Sequence, residues 1–122
     1  LCKGRLIHVF GCGGNRDKTK RPKMMAASCA YSDVIVLTSD NPRDEDPAAI
    51  ARDVMAGRTG DASVIERLDR EEAIREAIAM ARPDDWIVIT GKGSESYQEI
   101  AGQKTPFDDR RCARRSWKEV RA

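Results

Sequence analysis

Three short apolar runs constrain this chain more than anything else in it. They are "RLIHVF" at residues 5–10, "DVIVLT" at 33–38 and "WIVIT" at 86–90, all rich in Val and Ile and nearly unbroken in hydrophobicity. A strand with one wet face alternates apolar and polar residues. A strand covered on both faces does not, and parallel sheets beneath helices are where such strands occur. A fourth run, "SVIERL" at 63–68, is more polar and reads as a strand nearer an edge.

Helical patterns fill the intervals. Asp46 suits an N-cap, Pro47 a first turn and Gly57 a stop, which predicts a helix over 47–56. Asp69 with Glu72 three residues later has the form of a capping box, and Ala73, Ala77, Ile78 and Ala81 then share one stripe before Pro83. A helix over 22–31 offers Met24, Met25 and alanines for packing. One over 108–120 carries Asp108 and Asp109 at its positive end and bases beyond, as the helix dipole favours. Segments 57–62 and 99–105 read as loops. Strands alternating with helices predict a single α/β domain over residues 1–122 with right-handed crossovers. A chain of this length buries about two-thirds of the surface its unfolded form exposes, enough for a real core.

Composition narrows the function classes. Charged residues make up 34% of the chain with a net charge of only +2, so no nucleic-acid partner is expected. No apolar run approaches the ~18 residues that a membrane span requires. The opening "LCKGR" has no leader pattern, and the chain is expected to be part of something longer, and monomeric. The cysteines Cys2, Cys12, Cys29 and Cys112 contain no C-x-x-C, and only one His is present. Reduced thiols in a cytoplasmic protein are therefore expected, rather than a zinc site or a disulfide framework. His8 reads as a packed strand residue, Trp86 and Trp117 as core, and Cys12 lacks a further His to activate it. The bases on the last helix read as a solvated face or a contact with another domain.

In an open parallel sheet, ligands bind beyond the carboxyl ends of the strands. Three strands here end in polar or glycine-rich segments: "GCGGNRDKTKRPK" (11–23), "SDNPR" (39–43) and "GKGSES" (91–96). The first sets Gly11, Gly13 and Gly14 among Arg16, Lys18, Lys20, Arg21 and Lys23, and reads equally as an anion site or a solvated basic loop. Neither G-x-x-x-x-G-K-[ST] nor G-x-G-x-x-G fits it, which disfavours a nucleotide-binding domain. In the second, Pro42 limits Asn41 to extended conformations and sets Arg43 beside it. An Arg fork binds a carboxylate through two hydrogen bonds, but a capped turn with Arg43 paired to Asp44 or Glu45 is also open. The third places Glu95 after Gly91 and Gly93, either as a seat for an ammonium group or as an ordinary turn. Together the loops offer cations for carboxylates and an anion for an amine.

The segments "HVFGCGGNRDKTKRPKM", "TSDNPRDEDP", "GKGSESYQ" and "PFDDR" resemble, in this order, motifs of the C-terminal domain of the Mur ligases. The resemblance runs from Arg5 to Arg115. The D-N-P-R segment is similar to that of the members that add meso-diaminopimelate; lysine-adding members carry another residue at the Arg position. The resemblance implies a Rossmann-like open, mostly parallel sheet with helices on both faces. It implies an ATP-dependent ligase of peptidoglycan precursor synthesis, in which ATP and magnesium activate the D-glutamate carboxylate of a UDP-N-acetylmuramoyl dipeptide for attack by an amine. N-terminal UDP-sugar and central ATPase domains would lie outside this chain. Carried over by position, Asn41 and Arg43, with Asp40 beside them, would hold the distal carboxylate of diaminopimelate. Arg16 would hold the carboxylate next to the reacting amine. Gly91, through its backbone, and Glu95 would hold the distal ammonium. Two positions depart from the family pattern: Ser94 stands where His is usual, and Asn15 where Asp is usual. The alternatives are a ligase with another substrate, such as L-lysine or D-Ala-D-Ala, or an amino-acid-binding module without catalysis.

Overall fold

The computed structural model describes residues 3–92 and 95–121. Strands β1 (Leu6–Phe10), β2 (Val34–Leu37), β3 (Ser63–Glu66) and β4 (Trp86–Ile89) form one fully parallel sheet in the order β3-β2-β1-β4. Helices α1 (Lys20–Tyr31), α2 (Pro47–Met55) and α3 (Arg70–Met80) make the crossovers, and α4 (Asp109–Arg121) closes the chain. The α/β expectation therefore holds.

Strand alternation explains the two cores. Adjacent residues of a strand face opposite sides of the sheet. Phe10, Ile35 and Leu37 pack with Met25, Ile50, Ala51 and Val54 of α1 and α2. Ile7, Val9, Val34 and Val36 pack with Ala73, Ile74, Ala77 and Ile78 of α3 and with Cys112 of α4. Because β1 and β2 are covered on both faces, they can be continuously apolar; the edge strands β3 and β4 are only partly buried.

The caps follow the side-chain chemistry. Asp46 accepts from the Ala48 N–H at 3.0 Å, and Asp69 from those of Glu71 and Glu72. Asp108 caps α4 by accepting from the Arg110 and Arg111 N–H groups. His8 is packed as expected, stacked on Phe10 and hydrogen-bonded to the Ser28 and Thr90 hydroxyls.

Two expectations fail. Trp86 and Trp117 are 52% and 53% exposed rather than core, because one opens an edge strand and the other lies on the outer side of α4. Segment 99–105 is not a loop. β5 (Tyr97–Ile100) and β6 (Gln103–Pro106) form an antiparallel hairpin across Ala101 and Gly102, whose φ angles of 51° and 77° suit a tight two-residue turn. Strands this polar and an Ala-Gly turn carry almost no local strand signal.

Candidate functional site

Register brings the three loops together. Phe10 pairs with Leu37 and Val9 with Ile89, so β1, β2 and β4 end level and release their loops side by side. The chain winds from β1 outward through β2 to β3, then crosses to β4 on the other flank of β1. The crevice between β1 and β4 is thus the point where strand order reverses, the usual ligand position in such sheets. A cleft of about 410 Å³ opens there, lined by Gly11, Gly13, Arg16, Lys20, Asp40 and Gly91 among others.

The glycines of the first loop are spent on loop packing. A methyl group on Gly11 would stand 2.2 Å from the Thr38 carbonyl oxygen, and one on Gly14 only 1.8 Å from that of Pro42. The Gly14 N–H donates to the Asn41 carbonyl at 2.7 Å. The five bases also divide. Arg21 is buried and donates to Glu45, Asp53 and the Gly13 carbonyl, locking the first loop to the second loop and to α2. Its hydrogen bonds, with the N–H of Asn15, hold the Glu45 carboxyl down at about 2. Arg16 is exposed and donates to the Asn15 carbonyl at 3.3 Å. Asn15 takes a left-handed conformation (φ 55°) and binds Asp44 through its side-chain amide.

Arg43 does not pair with Asp44 or Glu45. Its Nη1 donates to the Gly14 carbonyl at 2.9 Å and, more weakly, to that of Asn41; Nε stands 3.5 Å from Glu99 Oε1. Its backbone takes φ 52° and joins the hairpin, the N–H donating to the Glu99 carbonyl and the carbonyl accepting from Ala101. A methyl group on Gly13 would lie 2.9 Å from Arg43 Nη1 and 3.6 Å from Arg16 Cγ, so the two arginines flank that glycine. Asn41 is 2% exposed; its Nδ2 donates to Glu95 Oε1 at 3.4 Å. Gly91 takes φ 114°, and a methyl group there would stand 3.5 Å from Asp40 Oδ2.

All six residues singled out from the sequence, Arg16, Asp40, Asn41, Arg43, Gly91 and Glu95, therefore gather at one end of the sheet. Ser94 and Cys2 lie outside the described residues. The thiol of Cys12 is buried and burial pushes it up to about 11, which keeps it protonated and a poor nucleophile.

Three neighbours were not legible beforehand. Lys92 is fully buried and donates to Asp40, Asn41 and the Tyr97 carbonyl. Glu99 supplies the counter-charge to Arg43, and Gln98 donates to the Asp40 carbonyl at 2.8 Å. Farther down, Arg70 binds the Asp109 carboxylate with two bonds of 2.7 Å and reaches the carbonyls of Ser39 and Thr90, tying the exits of β2 and β4 to α4. A Lys between two glycines, and an Arg at a helix start where acids are favoured, were the only signals available.

The chain is similar to known proteins of one kind. A family model described as "Mur ligase, glutamate ligase domain" matches residues 1–93. Proteins named UDP-N-acetylmuramoyl-L-alanyl-D-glutamate–2,6-diaminopimelate ligase are similar to the chain. The one from Aquifex aeolicus is 55% identical over 109 residues, covering 89% of this chain and 23% of that protein. The one from Geobacillus thermodenitrificans is 54% identical over 122 residues, covering 99% and 25%. A solved structure of a ligase of the same name superposes with a TM-score of 0.95 at 41% identity, covering 99% of this chain and 25% of that one. The chain spans about a quarter of the length of the curated relatives it matches.

Proposed function

The chain belongs to the Mur ligase family, and on that premise we propose that it is the C-terminal, amino-acid-binding domain of a ligase that joins meso-diaminopimelate to UDP-N-acetylmuramoyl-L-Ala-D-Glu in the cytoplasm. The observation that carries the reading is the placement of charge. Arg43 and Arg16 flank Gly13, which lines the cleft together with Arg16, and Asn41 donates to Glu95. Two cations and one anion match an amino acid with two carboxylates and a second ammonium.

In this reading Arg43 and Asn41 donate to the distal carboxylate, Arg16 donates to the carboxylate beside the attacking amine, and Glu95 with the Gly91 backbone accepts from the distal ammonium. ATP activates the dipeptide's carboxylate as an acyl phosphate, and attack by the amine of diaminopimelate expels phosphate. ATP and magnesium are bound mainly outside this domain, which has no G-x-x-x-x-G-K-[ST] segment, and the isolated domain does not ligate. The domain acts as a monomer with no nucleic-acid partner. No helix among the described residues is long and apolar enough to cross a membrane.

Glu99 moderates the expected selectivity. Lysine would not strand the Arg43 guanidinium, because Glu99 already stands at 3.5 Å. The discrimination against lysine is then about 10–100-fold, below what a wholly unpaired buried Arg would give. The test is ATP-dependent ligation by the full-length protein with each amino acid, repeated with Arg43→Ala. Preference for meso-diaminopimelate that the variant loses, with little change for lysine, supports the proposal. Equal use of the two by the unmodified protein overturns it.

A further inference from the structure

Lys92 is the least expected feature of the site. Its side chain is 0% exposed, yet it carries an ammonium group. Lysine has three donors and no acceptor, and all three are used: 3.1 Å to Asp40 Oδ1, 2.9 Å to Asn41 Oδ1 and 2.9 Å to the Tyr97 carbonyl. Asn41 Oδ1 accepts a second hydrogen bond, 2.9 Å from the Glu99 N–H. Both partners of that oxygen are obligate donors. Turning the amide over would set an NH2 group against an ammonium and a backbone N–H, leaving a buried charge short of an acceptor. The amide of Asn41 is thereby held in one orientation, with Nδ2 directed to Glu95 and away from Lys92.

We infer that Lys92 is a positioning residue for the amino-acid site, setting Asn41 to present only hydrogen-bond donors to an incoming carboxylate. The inference rests on the function proposed above, and it assigns Lys92 a role that touches no substrate. A lysine serves here because a point charge with three donors satisfies three acceptors from three segments, whereas the planar fork of Arg would not fit that arrangement.

The test is steady-state kinetics of the full-length ligase carrying Lys92→Met, which keeps the length of the side chain and removes its charge. KM for meso-diaminopimelate should rise by about tenfold or more, with the KM values for ATP and the nucleotide substrate within about twofold of wild type. Acting through Asn41 makes a further demand: in an Asn41→Ala background the same change should raise KM by less than about threefold, since the residue it orients is gone. Multiplicative effects, or an unchanged KM in Lys92→Met, overturn the inference. Should Lys92→Met fail to fold, Asn41→Asp keeps the acceptor for Lys92 and removes both donors. It should fold and lose the same affinity for diaminopimelate, and wild-type KM in that variant would overturn the inference alone. If the unmodified ligase ignores diaminopimelate, the functional reading itself falls; if it uses diaminopimelate and only Lys92→Met is silent, the role of Lys92 falls and the function stands.

Discussion

Arg70 should be the most costly single polar residue to neutralise. Its side chain is 0% exposed, and its partner Asp109 is nearly buried. Arg70→Met fills similar volume, so the cost isolates the polar contacts from any cavity. The Asp109 carboxylate loses two bonds of 2.7 Å, and the Ser39 and Thr90 carbonyls lose bonds of 3.0 and 3.1 Å. Stranding one member of a buried ion pair costs about 3–5 kcal/mol. The carbonyls add less, since each has a second lone pair and loop backbone can shift toward water; about 4 kcal/mol is the expected total. With an unfolding entropy of about 2.1 cal/mol/K per residue over 122 residues, that is a fall in Tm of about 15 °C. Urea and thermal unfolding of the domain would measure it. The double variant Arg70→Met, Asp109→Leu removes both charges and should recover most of the loss, because an apolar pair needs no partner. If Arg70→Met lies within about 1 kcal/mol of wild type, the pair does not hold α4 to the sheet and the account of this network is wrong.

Stability should also respond to acid and to the glycine contacts. Arg21 and the Asn15 N–H hold Glu45 at about 2, and the N–H groups of Arg82 and Arg5, with the Arg5 side chain, hold Asp85 at about 2, against ordinary values of 4.5 and 3.8. Between those values and about pH 2 the unfolded chain binds more protons than the folded one. The stabilisation is therefore full above about pH 4.5 and lost as pH falls through 2. Glu45→Gln with Asp85→Asn should flatten the acid limb of denaturant midpoints taken from pH 2 to 7; an unchanged limb would assign it to other groups. Gly14→Ala drives a methyl group to 1.8 Å from the Pro42 carbonyl oxygen. It should cost about 1–3 kcal/mol in denaturation and weaken amino-acid binding by displacing Asn41 and Arg43. Wild-type stability and affinity together would show that the two loops can part without consequence.

The features legible in the sequence are those whose causes are local. Unbroken Val/Ile runs mark strands buried on both faces, and Asp46 and Asp69 announce helix starts because a cap is satisfied within three residues. Strand–helix alternation then implies a parallel sheet, and a parallel sheet puts every strand-to-helix loop on one edge. That logic alone brings the loops carrying Arg16, Asp40, Asn41, Arg43, Gly91 and Glu95 to one end. Tertiary structure decided what those residues touch. Lys92 meets Asn41 across 51 positions, Glu99 meets the same amide across 58, and Arg70 meets Asp109 across 39. No periodicity reports such pairings, because a buried charge satisfies itself with whatever acceptor the fold delivers. The hairpin of β5 and β6 was hidden for a related reason. Its strands are polar, and it is held in part by bonds from Arg43, in a loop more than fifty residues earlier. The first loop reads equally as an anion site or a solvated basic loop, and the fold uses two of its glycines to let one backbone pass against another, a contact that exists only once both loops are in place.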